Sequence, residues 1–101
     1  IAAPQEADPL LDSLRVAFWD WRQDLTGRIY AVYGQVQNLS NGDIKQVVLQ
    51  FRTQDENEQT IARHSIIVNN LQAGGKKPFR EDVPRTGREA MGFVDVQKVN
   101  P

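Results

Sequence analysis

Apolar and polar residues alternate along most of this chain, and turn-forming residues interrupt the alternation about every 8–12 positions. The pattern is clearest around Val47, Leu49 and Phe51, which alternate with polar residues except at Val48. A period of two is typical of a β-strand with one buried face. The predicted strands are 14–23, 29–39, 45–54, 60–68, a fifth segment that opens at 78–80, and 90–99.

The stretch 28–55 organises this prediction, because two alternating segments lie on either side of Asn41-Gly42. That dipeptide is a strong short-range signal for chain reversal, so we expect the second and third strands to form a hairpin. Gly34 interrupts the second strand and predicts a bulge or a close-packed neighbour. Six or seven short strands without a convincing helix predict an all-β fold, an antiparallel β-sandwich of two sheets.

Length and composition predict one ordinary globular domain at 14–101, preceded by a flexible lead-in at 1–13. Of the 101 residues, 40% are apolar and 25% are charged, which does not favour disorder. The formal net charge is −1, whereas a non-specific binder of nucleic acid or anionic membrane needs surplus Lys and Arg. We therefore expect no nucleic-acid partner.

The sequence contains no cysteine, which excludes disulfides, thiolate metal sites and cysteine nucleophiles. No apolar run approaches the ~20 residues that span a bilayer, so we expect no direct membrane insertion. The sequence begins with Ile1 rather than Met, and we expect that an upstream segment, such as a signal peptide or anchor, was removed.

Catalytic and metal-binding patterns are weak. His64 is the one histidine, and the neighbouring Ser65 would point to the opposite strand face, so we interpret His64 as an ordinary strand side chain. The acidic segment 55–58 has oxygen donors but lacks the spacing and the glycine of an EF-hand loop, which favours a solvated turn. Segment 73–77 lacks the residue pattern of a phosphate-binding P-loop. Glu81 and Asp82 are adjacent on a strand and face opposite ways, so they cannot act together as paired acids. We predict no enzyme, no metal and no cofactor.

Trp19 and Trp21 are the feature most open to a functional interpretation, since both faces of the first strand are apolar near its middle. If the indoles face the core, Val16 and Phe18 lie outside. If Phe18 packs inward, the indoles form an exposed platform with Tyr33 or Tyr30 nearby, which is typical of a partner- or sugar-binding surface. We favour burial of at least one indole and keep Trp19, Trp21 and Tyr33 as candidate binding residues.

Residues 34–38 (Gly-Gln-Val-Gln-Asn), 51–55 (Phe-Arg-Thr-Gln-Asp) and 71–79 (Leu-Gln-Ala-Gly, then Pro-Phe) together resemble the FxLYD domains of bacteria. Residues 34–38 are similar to that family's G-x-V-x-N segment. Its name motif falls on 51–55, with Thr53 and Gln54 in place of Leu and Tyr. Residues 71–79 are similar to its L-x-P-G…F stretch, with Ala in place of Pro. The resemblance implies an immunoglobulin-like β-sandwich from an exported or membrane-tethered bacterial protein, without enzymatic activity.

A physical interpretation of the same residues agrees with this resemblance. Phe51 and Phe79 are predicted to fill the core, Asn38 and Asp55 to satisfy backbone groups at strand ends, and Gly34 to make room for a neighbour.

We therefore expect a non-catalytic immunoglobulin-like module that acts through protein contact, by an open sheet edge or an aromatic patch, or through self-association. Pro78 and Lys76-Lys77 are typical of a protected edge. The alternative is a carbohydrate- or small-ligand-binding sandwich that uses the aromatic platform. The predicted location is periplasmic, on the cell surface, or tethered to a membrane.

Overall fold

The structure, a computed structural model, describes residues 13–101 and contains six strands over that range. They are β1 (Leu14–Gln23), β2 (Ile29–Asn38), β3 (Ile44–Gln54), β4 (Thr60–Leu71), β5 (Lys76–Pro84) and β6 (Met91–Asn100). The predicted strands are confirmed, with small shifts at their ends. Residues 1–12, most of the predicted lead-in at 1–13, lie outside the described residues.

The six strands form two three-stranded antiparallel sheets, ordered β1-β2-β5 and β4-β3-β6. In immunoglobulin lettering, β1, β2 and β5 correspond to A, B and E, and β3 and β6 to C and F, with β4 beside C. The predicted all-β antiparallel sandwich is therefore confirmed. The hairpins are β1–β2 and β3–β4, and the other connections pass from one sheet to the other.

The prediction that Asn41-Gly42 closes a hairpin is wrong, because β2 and β3 lie in different sheets. A two-residue hairpin of the Asn-Gly type needs positive φ at both central residues. Neither Asn41 nor Gly42 has positive φ, whereas Gly27, Gly74 and Gly87 do. The dipeptide belongs to a crossing between the sheets, and residues 39–43 connect them.

The side chain of Asn38 holds this crossing. It is fully buried, and its Nδ2 donates to the carbonyl of Gly42 at 2.8 Å and to the carbonyl of Leu71 at 3.2 Å. Its Oδ1 accepts hydrogen bonds from the Ser40 amide at 2.9 Å and the Ser40 hydroxyl at 2.6 Å. The predicted role of Asn38 is confirmed, and the amide also joins β2 to the end of β4.

A β-bulge in β1 decides which aromatic side chains face the core. Val16 lies opposite Val36 and Phe18 lies opposite Gln35, so Ala17 is an extra residue. Because one added residue reverses the alternation, Val16 and the two indoles turn inward, whereas Phe18 turns outward. Both indoles pack against the core and are partly buried, and Val16 does not lie outside as expected.

Gly34 lies opposite Trp19 and makes the bulge possible. A Cβ atom at this position would lie 2.2 Å from the carbonyl oxygen of Phe18 and 2.8 Å from the Cα of Trp19. Both are backbone atoms, so no side-chain rotation relieves the overlap. The predicted role of Gly34, room for a bulge and a close neighbour, is confirmed, but the close neighbours are the β1 backbone and the Phe79 ring.

The core lies between the two inner sheet faces, and the predicted core residues Phe51 and Phe79 are 0% and 5% exposed. Trp19 and Trp21 both meet the Phe51 ring edge-to-face, at centroid distances of 5.9 and 5.6 Å. The other buried apolar side chains are Leu14, Val32, Val36, Ile44, Val47, Leu49, Ile66, Val68, Leu71, Val83 and Val99.

Gly34→Ala is expected to lower the free energy of unfolding by about 3 kcal/mol or more, because the added methyl overlaps backbone atoms. Gly42→Ala is the matched control, since nothing lies within 4 Å of a Cβ at that position. We expect the control to change stability by less than about 0.5 kcal/mol. Urea unfolding measures both, and equal effects of the two variants would contradict the bulge packing.

Thr53 is a polar residue in this apolar layer. It is 3% exposed, and its hydroxyl has no hydrogen-bond partner within the described residues. A buried hydroxyl without a partner loses the hydrogen bonds that water gives it in the unfolded chain.

Thr53→Val, which keeps the shape and removes the hydroxyl, is therefore expected to raise the free energy of unfolding by about 1 kcal/mol. Thr60→Val, at an exposed strand position, serves as the control and is expected to change stability by less than about 0.5 kcal/mol. Thermal or urea unfolding checks this, and a loss of stability in Thr53→Val would disprove the argument.

Candidate functional site

The outer face of the β1-β2-β5 sheet carries the candidate site. The register places residues of the three strands side by side in rows across this face. Three neighbouring rows are Phe18–Gln35–Pro78, Asp20–Tyr33–Arg80 and Arg22–Ala31–Asp82. We call Phe18, Tyr33 and Pro78, with the flanking Arg22 and Arg80, the outer-face patch.

A groove of about 600 Å³ runs over this patch and is lined by all five of its residues. Phe18 is 51% exposed, although it is a large apolar side chain in the middle of a sheet. Pro78 is exposed beside it, and Tyr33 is half-buried in the next row. The patch therefore presents apolar and aromatic surface to solvent in a shallow open depression.

The polar groups of the patch are loosely held. The guanidinium carbon of Arg22 lies 5.9 Å from the centre of the Tyr33 ring, at the outer limit of a cation–π contact. The Tyr33 hydroxyl donates a long hydrogen bond of 3.5 Å to Asp20 Oδ2. Arg80 Nε lies 3.5 Å from Asp82 Oδ1, and both side chains are exposed, so this ion pair is weak. The arginines and the phenol can therefore reorient towards a bound molecule.

The three predicted binding residues do not share one surface. Trp19 and Trp21 lie opposite Gly34 and Val32 and face the core, whereas Tyr33 lies opposite Asp20 and faces outward. Because successive strand residues point to opposite faces, the predicted platform of Trp19, Trp21 and Tyr33 does not form. Tyr33 belongs to the outer-face patch instead.

The sequence alone did not show that Phe18 is exposed. Alternation alone places Phe18 on the same face as Val16, and the bulge at Ala17 separates the two. Gly34 was the available signal, since a glycine inside a strand is typical of a bulge or a close backbone approach.

A second groove, of about 400 Å³, lies between the β3–β4 and β5–β6 loops and contains Asp55, Glu56 and Glu89. Asp55 Oδ1 accepts hydrogen bonds from the amides of Asn57 at 2.9 Å and Gln59 at 3.0 Å, so the predicted role of Asp55 is confirmed. Within residues 13–101, no group of three or more His, Cys, Asp or Glu residues is placed to hold a metal ion.

Glu89 holds the β5–β6 loop in the same way. Its Oε2 accepts from the Thr86 amide at 2.8 Å and the Thr86 hydroxyl at 2.7 Å, and its Oε1 accepts from the Gly87 amide at 2.9 Å. Burial raises the pKa of Glu89, but the hydrogen bonds from Thr86 and Gly87 outweigh it, and the pKa lies below its ordinary value. This carboxylate has a folding role.

The other candidate chemistry also takes part in packing and turns. The His64 ring stacks on Phe51, at 6.3 Å between ring centres and 24° between planes. Residues 72–75 form the turn from β4 to β5, closed by a 2.8 Å hydrogen bond from the Gly75 amide to the Gln72 carbonyl. Lys77 Nζ donates to the carbonyl of Asn69 on β4.

IrmA from Escherichia coli has a similar fold among solved structures. The match has a TM-score of 0.58 and 12% sequence identity, and it covers 87% of this chain and 82% of that chain. At this identity, the likeness shows the fold alone. No family model matches the chain, and no curated protein matches it. The resemblance to FxLYD domains therefore stays a prediction.

The described part of the chain contains no helix with the length and apolarity needed to cross a membrane.

Because the folded pKa of Glu89 is lowered, its contribution to stability is present above the unfolded pKa, near 4.5, and is lost as the pH falls through the folded pKa. Glu89→Gln is expected to lower the free energy of unfolding at pH 7 by less than about 1 kcal/mol. It is also expected to flatten the loss of stability below pH ~4.5.

Thr86→Val removes the hydroxyl donor, so we expect the pKa of Glu89 to rise towards its ordinary value in an NMR titration. Urea unfolding between pH 7 and pH 3 measures the stability effect. An unchanged slope in Glu89→Gln, or an unchanged titration in Thr86→Val, would contradict the assignment.

Proposed function

We propose that this chain is a non-catalytic β-sandwich module that binds another protein through the outer-face patch. The observation that carries the proposal is the outward position of Phe18, which a bulge in β1 turns away from the core. Bulges commonly re-aim a side chain beside a functional site. An aromatic ring that is half exposed on a sheet face loses stabilising burial unless another molecule covers it.

The residue types of the patch support a protein partner. Aromatic residues and arginine are enriched where proteins meet, and the residues that contribute most to binding are often Trp, Tyr and Arg. Phe18 and Tyr33 supply the apolar centre, and Arg22 and Arg80 lie at the rim with weak contacts inside the chain. A partner with an apolar anchor and a nearby carboxylate or carbonyl would match this arrangement.

Carbohydrate binding is the second candidate that the sequence suggested. Stacking on a sugar needs exposed aromatic faces, and Trp19 and Trp21 lie on the core side of the sheet and pack against Phe51. Tyr33 and Phe18 remain on the outer face, in neighbouring rows. No contact in the described residues favours a sugar over a protein, so carbohydrate enters as an arm of the experiment.

A photoreactive benzophenone amino acid in place of Phe18 is expected to give a discrete crosslinked protein species in the cells that produce this chain. The reason is that the patch centre is covered when the partner binds. The same amino acid in place of Leu25, a fully exposed residue of the β1–β2 turn, is the control and is expected to give none. Excess wild-type protein should compete for the crosslink, and Phe18→Ser should not.

Equal crosslinking from the two positions, or equal competition by wild type and Phe18→Ser, would disprove the patch as a binding surface. Oligosaccharide binding that Tyr33→Ala abolishes would favour the carbohydrate alternative.

A further inference from the structure

The outer edge of β1 carries backbone groups that are not paired with another strand of the described residues. β1 pairs with β2 on one side, and no strand of residues 13–101 lies on its other side. The Asp24 amide donates to the Ile29 carbonyl at 2.9 Å, so these two residues form a hydrogen-bonded pair. Hydrogen-bonded pairs alternate along an antiparallel ladder, so every second residue of β1 directs its backbone groups away from β2. The amides of Trp19, Trp21 and Gln23 therefore point to the open side. In agreement, the Trp21 amide donates to Asp20 Oδ1 at 2.8 Å.

Two of the other edges are protected. β5 contains Pro78 and Pro84, which cannot donate to a further strand. On β4, the Asn69 carbonyl accepts a hydrogen bond from Lys77 Nζ. These edges lie on the same side of the sandwich, whereas β1 and β6 lie on the opposite side.

The remaining edge, β6, contains one bulge, as β1 does at Ala17. Val48 lies opposite Lys98 and Leu49 opposite Val96, so Gln97 is an extra residue between the charges of Asp95 and Lys98. The regular run of β1, at 18–23, and that of β6, at 91–96, are equally long, and neither contains proline. Only the run in β1 carries two opposite charges two residues apart, Asp20 and Arg22.

The charges on this part of β1 are complementary to themselves. Asp20 and Arg22 are two residues apart, so both face outward. A two-fold axis at Trp21 places Asp20 opposite Arg22 of a second copy, and Arg22 opposite Asp20 of that copy. An axis at Asp20 or at Arg22 would instead place like charges opposite each other. Within the described residues, neither Asp20 nor Arg22 takes part in an ion pair.

The apolar core is also incompletely covered along this side. The partly buried apolar residues that pack on the core include Trp19 and Trp21 on β1 and Val94 and Val96 on β6. The residues of β2 and β3 beside them, such as Val32 and Phe51, are fully buried. A neighbour beside β1 would cover the exposed part of the Trp21 indole.

We propose that two copies of this chain associate through β1, in antiparallel register centred on Trp21, with Asp20 of each copy opposite Arg22 of the other. In this register the two Trp21 residues exchange backbone hydrogen bonds. The Asp20 carboxylate, which accepts from the Trp21 amide in the single chain, then binds the Arg22 guanidinium of the other copy. The contact is isologous and closes at a dimer. It goes beyond the proposed function, because it uses the strand edge and sets two outer-face patches on one face of a six-stranded sheet.

The experiment is sedimentation velocity of the full chain over a wide concentration range, with charge reversals on β1. Asp20→Arg and Arg22→Asp each place like charges opposite each other twice, and each is expected to weaken the dimer about tenfold or more. The double variant Asp20→Arg/Arg22→Asp restores the opposite pairs and is expected to return the dissociation constant to within about threefold of wild type.

Arg80→Asp makes the same kind of charge change on β5 and is the matched control, with no expected effect on the dimer. Circular dichroism confirms that each variant is folded. Phe18→Ser is expected to leave the dimer intact, so loss of the patch and loss of the edge contact are distinguished.

A wild-type chain that stays monomeric at every concentration overturns the proposal. A double variant as weak as the single variants also overturns it, since Asp20 and Arg22 would then not face each other. A dimer that neither single variant weakens places the contact on another surface, such as the β6 edge, and overturns it as well.

Discussion

The absence of a side chain at Gly34 is the constraint on which the β1-β2-β5 sheet depends. A Cβ there would lie 2.2 Å from the Phe18 carbonyl oxygen, so the β1 backbone approaches β2 closely only because position 34 is glycine. The extra residue Ala17 then fits into β1, and the alternation of the strand reverses after it. The indoles reach Phe51 as a result, and Phe18 remains outside. Core and candidate site are two results of one close backbone contact.

The strands were predictable because apolar and polar residues alternate in β2 and β3, as they do in strands with one buried face. Their pairing was not. Asn41-Gly42 predicts that the chain reverses, but a reversal does not say whether the next strand joins the same sheet. The buried amide of Asn38 holds the crossing through its bond to the distant Leu71 carbonyl, and no local pattern reveals that contact. Long-range contacts of this kind decide topology, whereas local sequence decides the elements.

The sequence predicted an aromatic surface patch, but it did not identify which aromatic residues form it. Both faces of β1 are apolar, so alternation alone did not show whether the indoles or Phe18 face the core. Tyr33 is the one predicted binding residue that lies on the outer-face patch. Asp55 belongs to the acidic segment whose oxygen donors could suit a metal, but its carboxylate, like that of Glu89, accepts hydrogen bonds from loop amides. Backbone amides need acceptors in any tight loop, and short acidic side chains supply them.

The Asn38 amide has a consequence for the order in which the chain acquires its structure. Its bonds to Ser40 and Gly42 span two and four residues and can form as soon as the turn is made. Its bond to Leu71 spans 33 residues and requires β3 and β4 to have formed and returned to this end. We expect this last bond to form late, on the native side of the folding barrier. A bond that forms after the barrier slows unfolding more than it speeds folding. The buried Asn38 amide would therefore lower the unfolding rate and lengthen the lifetime of the folded state.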